Sequence, residues 1–292
     1  MKDGRWFSET VTPGIRLSLK ATKVLRDERT GNHELAVIDN AVFGRVLLLD
    51  GAVQVTSRDE FVYHEMMAHV PILGHGAARD VLIVGGGDCG LAEEVLKHES
   101  ILSLTQVEID PRVVDLAREH FADINAAVFH DSRFHLVIGD GAAFVKRAER
   151  RFDVILVDST DPIGPGQVLF TEEFYRDVHE CLNRGGILVT QNGVPFLQGA
   201  EFAAAMEYLG SAFRHVACYA IAVPTYFGGH LALGWSSDDR AALDTPLETL
   251  AARCEAAGLR TRYYTPAVHR AAFALPRYMQ ESLQAATGAK RD

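Results

Sequence analysis

The chain has 292 residues, of which 48% are hydrophobic and 23% are charged, so it can bury a sizeable core and is not expected to be disordered. Its net charge of -10 argues against non-specific nucleic-acid binding, which needs a basic face, and is compatible with a cationic small substrate. Four scattered cysteines without a CxxC pair indicate neither a zinc site nor a disulfide framework. The polar N-terminus and the lack of a long apolar run predict a cytoplasmic protein without a membrane partner.

Residues 1–75 are predicted to form a small N-terminal β domain. The segments LAVIDN, FGRVLLLDG and AVQVTSRDE are typical of short strands, and Asn40, Asp50 and Gly51 interrupt them. The following segment, EFVYHEMMAHVPIL, has apolar residues at helical spacing, and Pro71 is expected to end that helix.

From about residue 79, strands alternate with helices, which predicts an α/β fold with a mostly parallel sheet and helices on both faces. The predicted strands that precede a helix are, in chain order, RDVLIVGGG, SLTQVEID, FHLVIGDG, FDVILVDS and GGILVTQNG. HVACYAIAVPTY and HLALGWSS are two further strands, and the second is expected to add a hairpin at the edge of the sheet. Residues 246–292 are expected to be helical at first and irregular later.

A glycine-rich loop follows the first strand of this alternation. Gly85, Gly87 and Gly90 match G-x-G-x-x-G between a strand and a helix, and Glu108 ends the next strand, where it could accept hydrogen bonds from a ribose diol. The pattern predicts a bound nucleoside; the simpler alternative is a tight turn with a surface glutamate. Asp88 lies inside the loop and would repel a phosphate, which favours a sulfonium nucleoside over a dinucleotide.

Acidic residues also follow the next two strands. Asp140 lies in a Gly-Asp-Gly turn, where it could accept a hydrogen bond from an adenine amino group while Gly141 leaves room for the ring. Asp158 ends the strand after that. Because ligands of open α/β sheets bind outside the carboxyl ends of the strands, the series predicts a single crevice.

Three of the acids, Asp88, Asp158 and Asp161, would repel one another in that crevice unless cations or protons intervene. A divalent metal bound by oxygen atoms is one solution, and a diamine with an ammonium group at each end is another. A simpler interpretation is that Asp158 and Asp161 cap turns and helices.

Two tyrosines and a histidine are further candidates for the site. Tyr63 and Tyr226 could line an alkyl channel or bind cations with their ring faces, although an isolated tyrosine more often packs in a core. His64 does not belong to an HExxH zinc motif, because His69 follows it by five residues rather than four. The expected environment of His64 is therefore that of a lone, partly buried histidine.

The same segments carry a resemblance to a known family. The motifs are, in chain order, WFSE at 6–9, FGRVLLLDGAVQVTSRDEFVYHEMMAHVP at 43–71, VGGGDCG at 84–90, VEID at 107–110, GDG at 139–141, DSTDPIGP at 158–165, PTYFGG at 224–229 and YYTPAVHRAAFALP at 263–276. On the basis of these motifs, the chain resembles spermidine synthase, in the polyamine aminopropyltransferase family, over nearly all its length. The DSTDP and YHEM segments are specific to the family, whereas the glycine loop alone is not.

The resemblance implies a Rossmann-like domain of the methyltransferase type at 76–292, preceded by the β domain, in a homodimer or homotetramer. It implies putrescine as acceptor and decarboxylated S-adenosylmethionine as co-substrate, with no separate cofactor or metal, and spermidine and 5'-methylthioadenosine as products. The residues implied for the donor nucleoside are Gln54, Glu108, Asp140, Gly141 and Pro165. Those implied for the polyamine are Tyr63, His64, Asp88, Ser159, Thr160, Asp161 and Tyr226, and Asp158 is the implied proton acceptor.

The chain departs from the family pattern at two positions. Cys89 stands where the family usually has glycine, and a cysteine is expected to fit there if the backbone is not at positive φ. His33 stands where a glutamine usually contacts the nucleoside, so that contact is not assigned. A putrescine N-methyltransferase, a synthase for a longer amine, an NAD-dependent dehydrogenase and a polyamine sensor without catalysis are the alternative functions.

Overall fold

The N-terminal part of the chain forms two small antiparallel sheets in the computed structural model, which describes residues 4–160 and 164–288. A hairpin consists of β1 (Trp6–Thr12) and β2 (Ile15–Lys20), and a four-stranded sheet follows in the order β3 (Lys23–Arg29), β4 (Glu34–Asn40), β5 (Gly44–Leu49) and β6 (Ala52–Thr56). The three strands predicted from the sequence are β4, β5 and β6. Asp50 and Gly51, both at positive φ, make the tight turn between the last two.

Helix α1 (Glu60–His75) connects this part to the rest of the chain. The prediction that Pro71 ends the helix is wrong, because the helix continues for another turn to His75 and is capped by Gly76, which is left-handed. Pro71 removes one backbone donor, but the residues around it are buried and tertiary packing holds the last turn in place. The apolar residues of α1 belong to the same core as the central strands that follow, and the domain division at residues 75 and 76 stays a prediction.

The remaining residues alternate between strands and helices. The strands are β7 (Asp80–Gly85), β8 (Ser103–Glu108), β9 (Phe134–Ile138), β10 (Phe152–Asp158), β11 (Leu182–Gln191), β12 (His215–Ile221) and β13 (Leu231–Ser237). The helices are α2 (Gly90–Leu96), α3 (Pro111–His120), α4 (Ala122–Asn125), α5 (Gly141–Arg147), α6 (Glu172–Glu180), α7 (Gly199–Ala212), α8 (Leu247–Ala256), α9 (Pro266–Ala272) and α10 (Arg277–Thr287). Short 3₁₀ turns occur at Val128–His130, Gly164–Phe170 and Arg240–Ala242. The C-terminal region is thus more helical than the sequence indicated.

The seven later strands form one sheet in the order β12-β13-β11-β10-β7-β8-β9. The five strands from β11 to β9 run parallel, and β13 runs antiparallel to both of its neighbours. The mostly parallel sheet is therefore confirmed, and so is the hairpin at its edge, in which HLALGWSS forms β13 and pairs with β12. Every residue of β13 is buried, so this strand needs a partner on each side, and β12 takes the edge position.

The side chains of the central strands alternate between the two faces of the sheet. In β7, Val81 and Ile83 pack on the face covered by α1 and α2, whereas Leu82 and Val84 pack on the face covered by α5, α6 and α7. This alternation confirms helices on both faces. No helix in the described ranges is long and apolar enough to cross a membrane.

The four-stranded sheet is attached to the large one through α3 and α4. Leu35, Leu47 and Val55 pack against Leu116 and Phe121 in one buried cluster. This contact sets β5 and β6 opposite the carboxyl ends of the large sheet, and the space between them becomes the cavity described next.

Candidate functional site

The carboxyl ends of four neighbouring strands open into a cavity of about 570 Å³. β10, β7, β8 and β9 lie side by side, and the acids Asp158, Asp88, Glu108 and Asp140 follow them in that order. The opposite wall comes from β1, β5, β6 and the segment between β12 and β13. The structure therefore brings together acids that are up to 70 residues apart in the chain, because parallel strands end at the same edge of the sheet.

Most of the residues predicted for the site line this cavity. They are Gln54, Tyr63, Asp88, Glu108, Asp140, Gly141, Asp158, Ser159, Thr160 and Tyr226. His64 does not line it and lies behind Tyr63 and Asp88. Asp161 lies outside the described residues, and so does the side chain of Pro165.

The loop after β7 approaches the end of β10 so closely that a side chain at position 85 cannot be accommodated. Gly85 has φ of +86°, and a Cβ on it would lie 2.1 Å from the carbonyl oxygen of Asp158. The next residue, Gly86, donates its N–H to that same carbonyl at 2.8 Å. Glycine is thus required here by both the backbone conformation and the close approach.

Cys89 adopts φ of +61°, so the condition that the sequence set for a cysteine at this position is not met. The left-handed conformation costs a residue with a Cβ about 1–2 kcal/mol. The thiol is buried, and burial together with the charges of Asp88 and Glu108 raises its pKa. Cys89 is therefore a buried, protonated thiol and not a nucleophile.

Glu108 is buried at the end of β8 and accepts a hydrogen bond from Asp110 N at 2.9 Å. Burial raises its pKa, although the backbone N–H groups of Asp110 and Ile109 oppose the rise. A buried carboxylate gains from a further donor, and a ribose hydroxyl is such a donor. His33 lines the same cavity, and its Nδ1 lies 2.9 Å from Asp50 Oδ2.

Asp140 caps helix α5. Its Oδ1 accepts hydrogen bonds from Ala142 N at 2.8 Å and Ala143 N at 3.1 Å. Asp140 is therefore a helix-capping acid, and its contact with adenine stays a prediction. A Cβ on Gly141 would lie 2.4 Å from Val84 Cγ1, so packing against β7 already requires glycine there.

Asp158 is paired with an aromatic side chain. Tyr63 donates its hydroxyl hydrogen to Asp158 Oδ1 at 2.8 Å, and the ring of Tyr226 packs edge-on against that of Tyr63 at 6.1 Å. Tyr226 in turn donates to the carbonyl of Gln54 at 2.5 Å. Burial, followed by the charge of Asp88, raises the pKa of Asp158 to about 7. This carboxyl group can therefore gain or lose a proton near neutral pH.

Two polar residues follow Asp158 on the cavity wall. Ser159 Oγ is buried and makes no hydrogen bond within residues 4–160 and 164–288, so a ligand in the cavity could use it. Thr160 continues the same wall. In the part of the chain that the structure describes, no cluster of three or more acidic, histidine or cysteine side chains could hold a metal ion.

His64 has acidic partners on both sides. Its Nδ1 lies 2.9 Å from Glu60 Oε2, and its Nε2 lies 3.5 Å from Asp88 Oδ1. Burial alone would lower its pKa, but the carboxylates of Asp88 and Glu60 outweigh burial and hold the pKa well above its ordinary value. The expectation of a lone, partly buried histidine is wrong, because these partners come from its own helix and from the glycine loop.

Sequence reasoning missed several polar residues that hold the site together. Asp59 accepts hydrogen bonds from the Thr56 hydroxyl at 2.6 Å and from Thr225 N at 2.8 Å, which anchors the segment that carries Tyr226. Asn125 donates its side-chain N–H to the carbonyl of Asp88 at 2.8 Å. The i,i+4 spacing of Glu60 and His64 was a usable signal, whereas no local pattern connects Asp59 with Thr225.

Two family models match the chain. The model of the spermine/spermidine synthase domain matches residues 60–245, and the model of the spermidine synthase tetramerisation domain matches residues 5–57. Among curated proteins, the polyamine aminopropyltransferase of a Ruegeria species is 51% identical over 94% of this chain and 97% of its own length. That of Escherichia fergusonii is 48% identical over 97% of this chain and 98% of its own length.

Two solved structures are similar to this chain over nearly its whole length. A spermidine synthase in complex with the transition-state analogue AdoDATO superposes with a TM-score of 0.91 at 32% identity, and the alignment covers 97% of both chains. The spermidine synthase of Thermotoga maritima superposes with a TM-score of 0.87 at 31% identity, and the alignment covers 96% of this chain and 95% of the other. The similarity therefore includes both the small sheets and the large one.

Proposed function

Since this chain belongs to the spermine/spermidine synthase family and is a transferase, we propose that it moves the aminopropyl group of decarboxylated S-adenosylmethionine to putrescine, giving spermidine and 5'-methylthioadenosine. The observation that carries the proposal is Asp158, a buried acid with a pKa near neutrality between an aromatic channel and a nucleoside-sized cleft.

The nucleoside belongs at the ends of β7, β8 and β9. The Glu108 carboxylate accepts hydrogen bonds from the ribose, and the Asp140 turn faces the adenine. Gln54 and Pro165 complete this proposed half of the site. The loop after β7 passes under the sulfonium, and Asp88 faces the amine end of the donor, where a carboxylate favours a cation and disfavours the carboxylate of intact S-adenosylmethionine.

The acceptor belongs beside Tyr63 and Tyr226, whose rings suit a tetramethylene chain flanked by charged ends. Asp158, with Ser159 and Thr160 next to it, holds the attacking amine. Asp161 anchors the second amine and thereby selects the length of the acceptor.

The reaction is a direct displacement. The neutral amine nitrogen of putrescine attacks the propyl carbon bonded to sulfur, the carbon–sulfur bond breaks, and its electron pair turns the sulfonium into the thioether of 5'-methylthioadenosine. The proton lost by the attacking nitrogen goes to Asp158. Alignment of nitrogen, carbon and sulfur lowers the barrier further, because it turns a bimolecular encounter into a unimolecular step.

Proton transfer from an alkylammonium to an ordinary aspartate would cost about 9 kcal/mol, from pKa values of about 10.4 and about 3.9. With Asp158 at about 7, the same transfer costs about 5 kcal/mol. The nearby sulfonium charge lowers the pKa of the amine and reduces the remaining cost. Burial of Asp158 thus makes it an adequate proton acceptor.

We also propose that the chain assembles through its N-terminal sheets. The family model matched by residues 5–57 is described as a tetramerisation domain, and Trp6 of β1 is 60% exposed. A large apolar side chain at such a position is suited to a subunit contact. Light scattering on the purified protein measures the assembly, and a monomeric mass would contradict a tetramer.

The first experiment offers putrescine with either decarboxylated or intact S-adenosylmethionine and identifies the products by mass spectrometry. Spermidine and 5'-methylthioadenosine from the decarboxylated donor alone are expected. N-methylputrescine from the intact donor would instead identify a methyltransferase, and tight putrescine binding without any product would identify a sensor. A parallel series of diamines and spermidine as acceptors measures the selected chain length.

A further inference from the structure

The surroundings of His64 contain only hydrogen-bond acceptors at its two ring nitrogens. Glu60 lies at Nδ1 and Asp88 lies at Nε2, and a carboxylate accepts hydrogen bonds but does not donate them. Both nitrogens therefore carry hydrogen when both contacts are made. The side chains of His64 and Glu60 are only 3% and 9% exposed, so water does not replace these partners.

The ring is also fixed from the side of α2. A Cβ on Gly90 would lie 2.4 Å from His64 Cε1, so the last glycine of the G-x-G-x-x-G pattern provides space for the imidazole. The N–H of Gly90 donates to Asp88 Oδ1 at 2.7 Å, on the same oxygen that faces His64. His64 thus has little freedom to turn away from Asp88.

We propose that Glu60 is a positioning residue, which holds His64 as a buried cation against Asp88 and thereby sets the charge beside Asp158. The inference rests on the proposed function, because it assigns to this cation an effect on the attacking amine. The protonated His64 is a positive charge that the protein itself provides to the cluster of acids. From the sequence alone, a diamine substrate or a metal was expected to provide that charge.

Other charged groups around the ring are consistent with this assignment. Asp88 reaches His64 from the glycine loop, Asp158 from the end of β10 and Glu93 from α2. Burial raises the pKa of Glu93, and the charge of His64 acts against that rise. The charge of His64 opposes the burial that raises the pKa of Asp158. Glu60 is the partner on the other side of the ring from Asp88, at hydrogen-bond distance.

A fixed cation next to the amine site has a defined kinetic consequence. It lowers the pKa of the bound acceptor, which must lose a proton before it attacks. If His64 becomes neutral, the excess negative charge favours the ammonium form, so binding is preserved while attack requires a higher pH. Loss of Glu60 is therefore expected to lower kcat without raising KM for putrescine.

The direct test observes the imidazole. In protein labelled with ¹³C-histidine, the resonance missing from His64→Gln is assigned to His64 among the 12 histidines. In the unaltered chain this resonance is expected to stay at the imidazolium position well above the ordinary pKa of about 6.5. In Glu60→Gln it is expected to titrate at a lower pH. Glu93→Gln, which removes a nearby carboxyl group without a bond to the ring, is the matched control and is expected to behave as the unaltered chain.

The kinetic test measures kcat and KM for putrescine against pH in the unaltered chain, Glu60→Gln and Glu93→Gln. Glu60→Gln is expected to lose about tenfold in kcat near neutral pH, equivalent to one pKa unit, and to recover at alkaline pH. A neutral His64 at pH 7 in the unaltered chain, or a kcat loss independent of pH with a raised KM, would overturn the inference. If the imidazole behaves as expected but no spermidine forms, only the proposed function fails.

Discussion

Helix α1 presents two buried faces with opposite chemistry. The cavity face carries Tyr63, which lines the cavity, and His64, which lies behind it. The back face carries Glu65 and His69, roughly half a turn away at about 100° per residue. On the cavity face, His64 lies between two carboxylates, which hold its pKa well above the ordinary value although burial acts against them. On the back face, His69 Nδ1 lies 2.9 Å from Nε2 of His98.

On the back face, the surroundings of His98 keep its imidazole neutral. Burial and the proximity of His69 lower the pKa of His98 to about 3. The nearby Glu94 carboxylate is shared, since one oxygen lies 3.1 Å from His69 Nε2 and the other 2.5 Å from Lys97 Nζ. His64 and His98 are each 2% exposed, so their neighbours decide which of these two imidazoles is charged. The cavity face contributes charge for chemistry, and the back face holds a neutral His98.

The back face also attaches the C-terminal region to α1. Glu65 accepts three backbone hydrogen bonds, from Arg262, Tyr263 and Tyr264, at 2.7–2.8 Å. The Tyr264 hydroxyl then pairs with His269 Nδ1 at 3.0 Å. The segment before α9 is thus held by a single buried carboxylate, and none of these residues lines the cavity.

The largest effect is expected when the cavity side loses its proton acceptor. Asp158→Asn keeps the size of the side chain and removes its charge, so kcat should fall by about 10²–10⁴-fold, the usual contribution of a general base. Single-turnover assays with both substrates measure the loss. Asp80→Asn, at the exposed start of β7, is the control and should retain turnover. Near-normal turnover in Asp158→Asn would show that the assigned role is wrong.

The second prediction separates the two faces by pH. The pKa of His98 is depressed in the folded protein, so its contribution to stability is complete above the unfolded value of about 6.5 and is lost as the pH falls toward about 3. Between about pH 6.5 and about pH 5, the free energy of unfolding should fall by about 2 kcal/mol from this group. His64 has a raised pKa, so its contribution is complete below about 6.5 and is lost as the pH rises toward the folded value.

Denaturant titrations at several pH values measure these slopes. His98→Gln should flatten the slope on the acid side and leave the alkaline side unchanged, whereas His64→Gln should do the reverse. Equal acid slopes in the unaltered chain and in His98→Gln would contradict the neutral state of His98.

The smallest effect is expected at the glycine loop on the cavity side. Cys89→Gly removes the Cβ from a left-handed residue and should raise the free energy of unfolding by about 1 kcal/mol, reduced by the loss of the buried thiol. Thermal unfolding measures the change. Cys218→Ala, a buried cysteine in β12 at ordinary φ, serves as comparison and should lower stability. A similar loss in both variants would mean that the left-handed backbone stores no measurable strain.

Local patterns in the sequence predicted most of the elements. Alternation of strands and helices indicated the parallel sheet, and the glycines after β7 indicated the loop. The error at Pro71 arose because burial by distant elements overrode a local signal. Pro71 is enclosed by packing, so the last turn of α1 stays helical beyond it.

For the site, the sequence by itself determined which acids meet, because strand ends in a parallel sheet share one edge whatever their separation in the chain. Only the tertiary structure decided how each acid is used. Tyr63 reaches Asp158 across 95 residues, and Asp59 reaches Thr225 across 166. The capping role of Asp140, the left-handed Cys89 and the charge of His64 depend on distances of a few ångströms between separate elements. Hydrogen-bond and electrostatic energies change steeply over such distances, and no residue pattern along the chain encodes them.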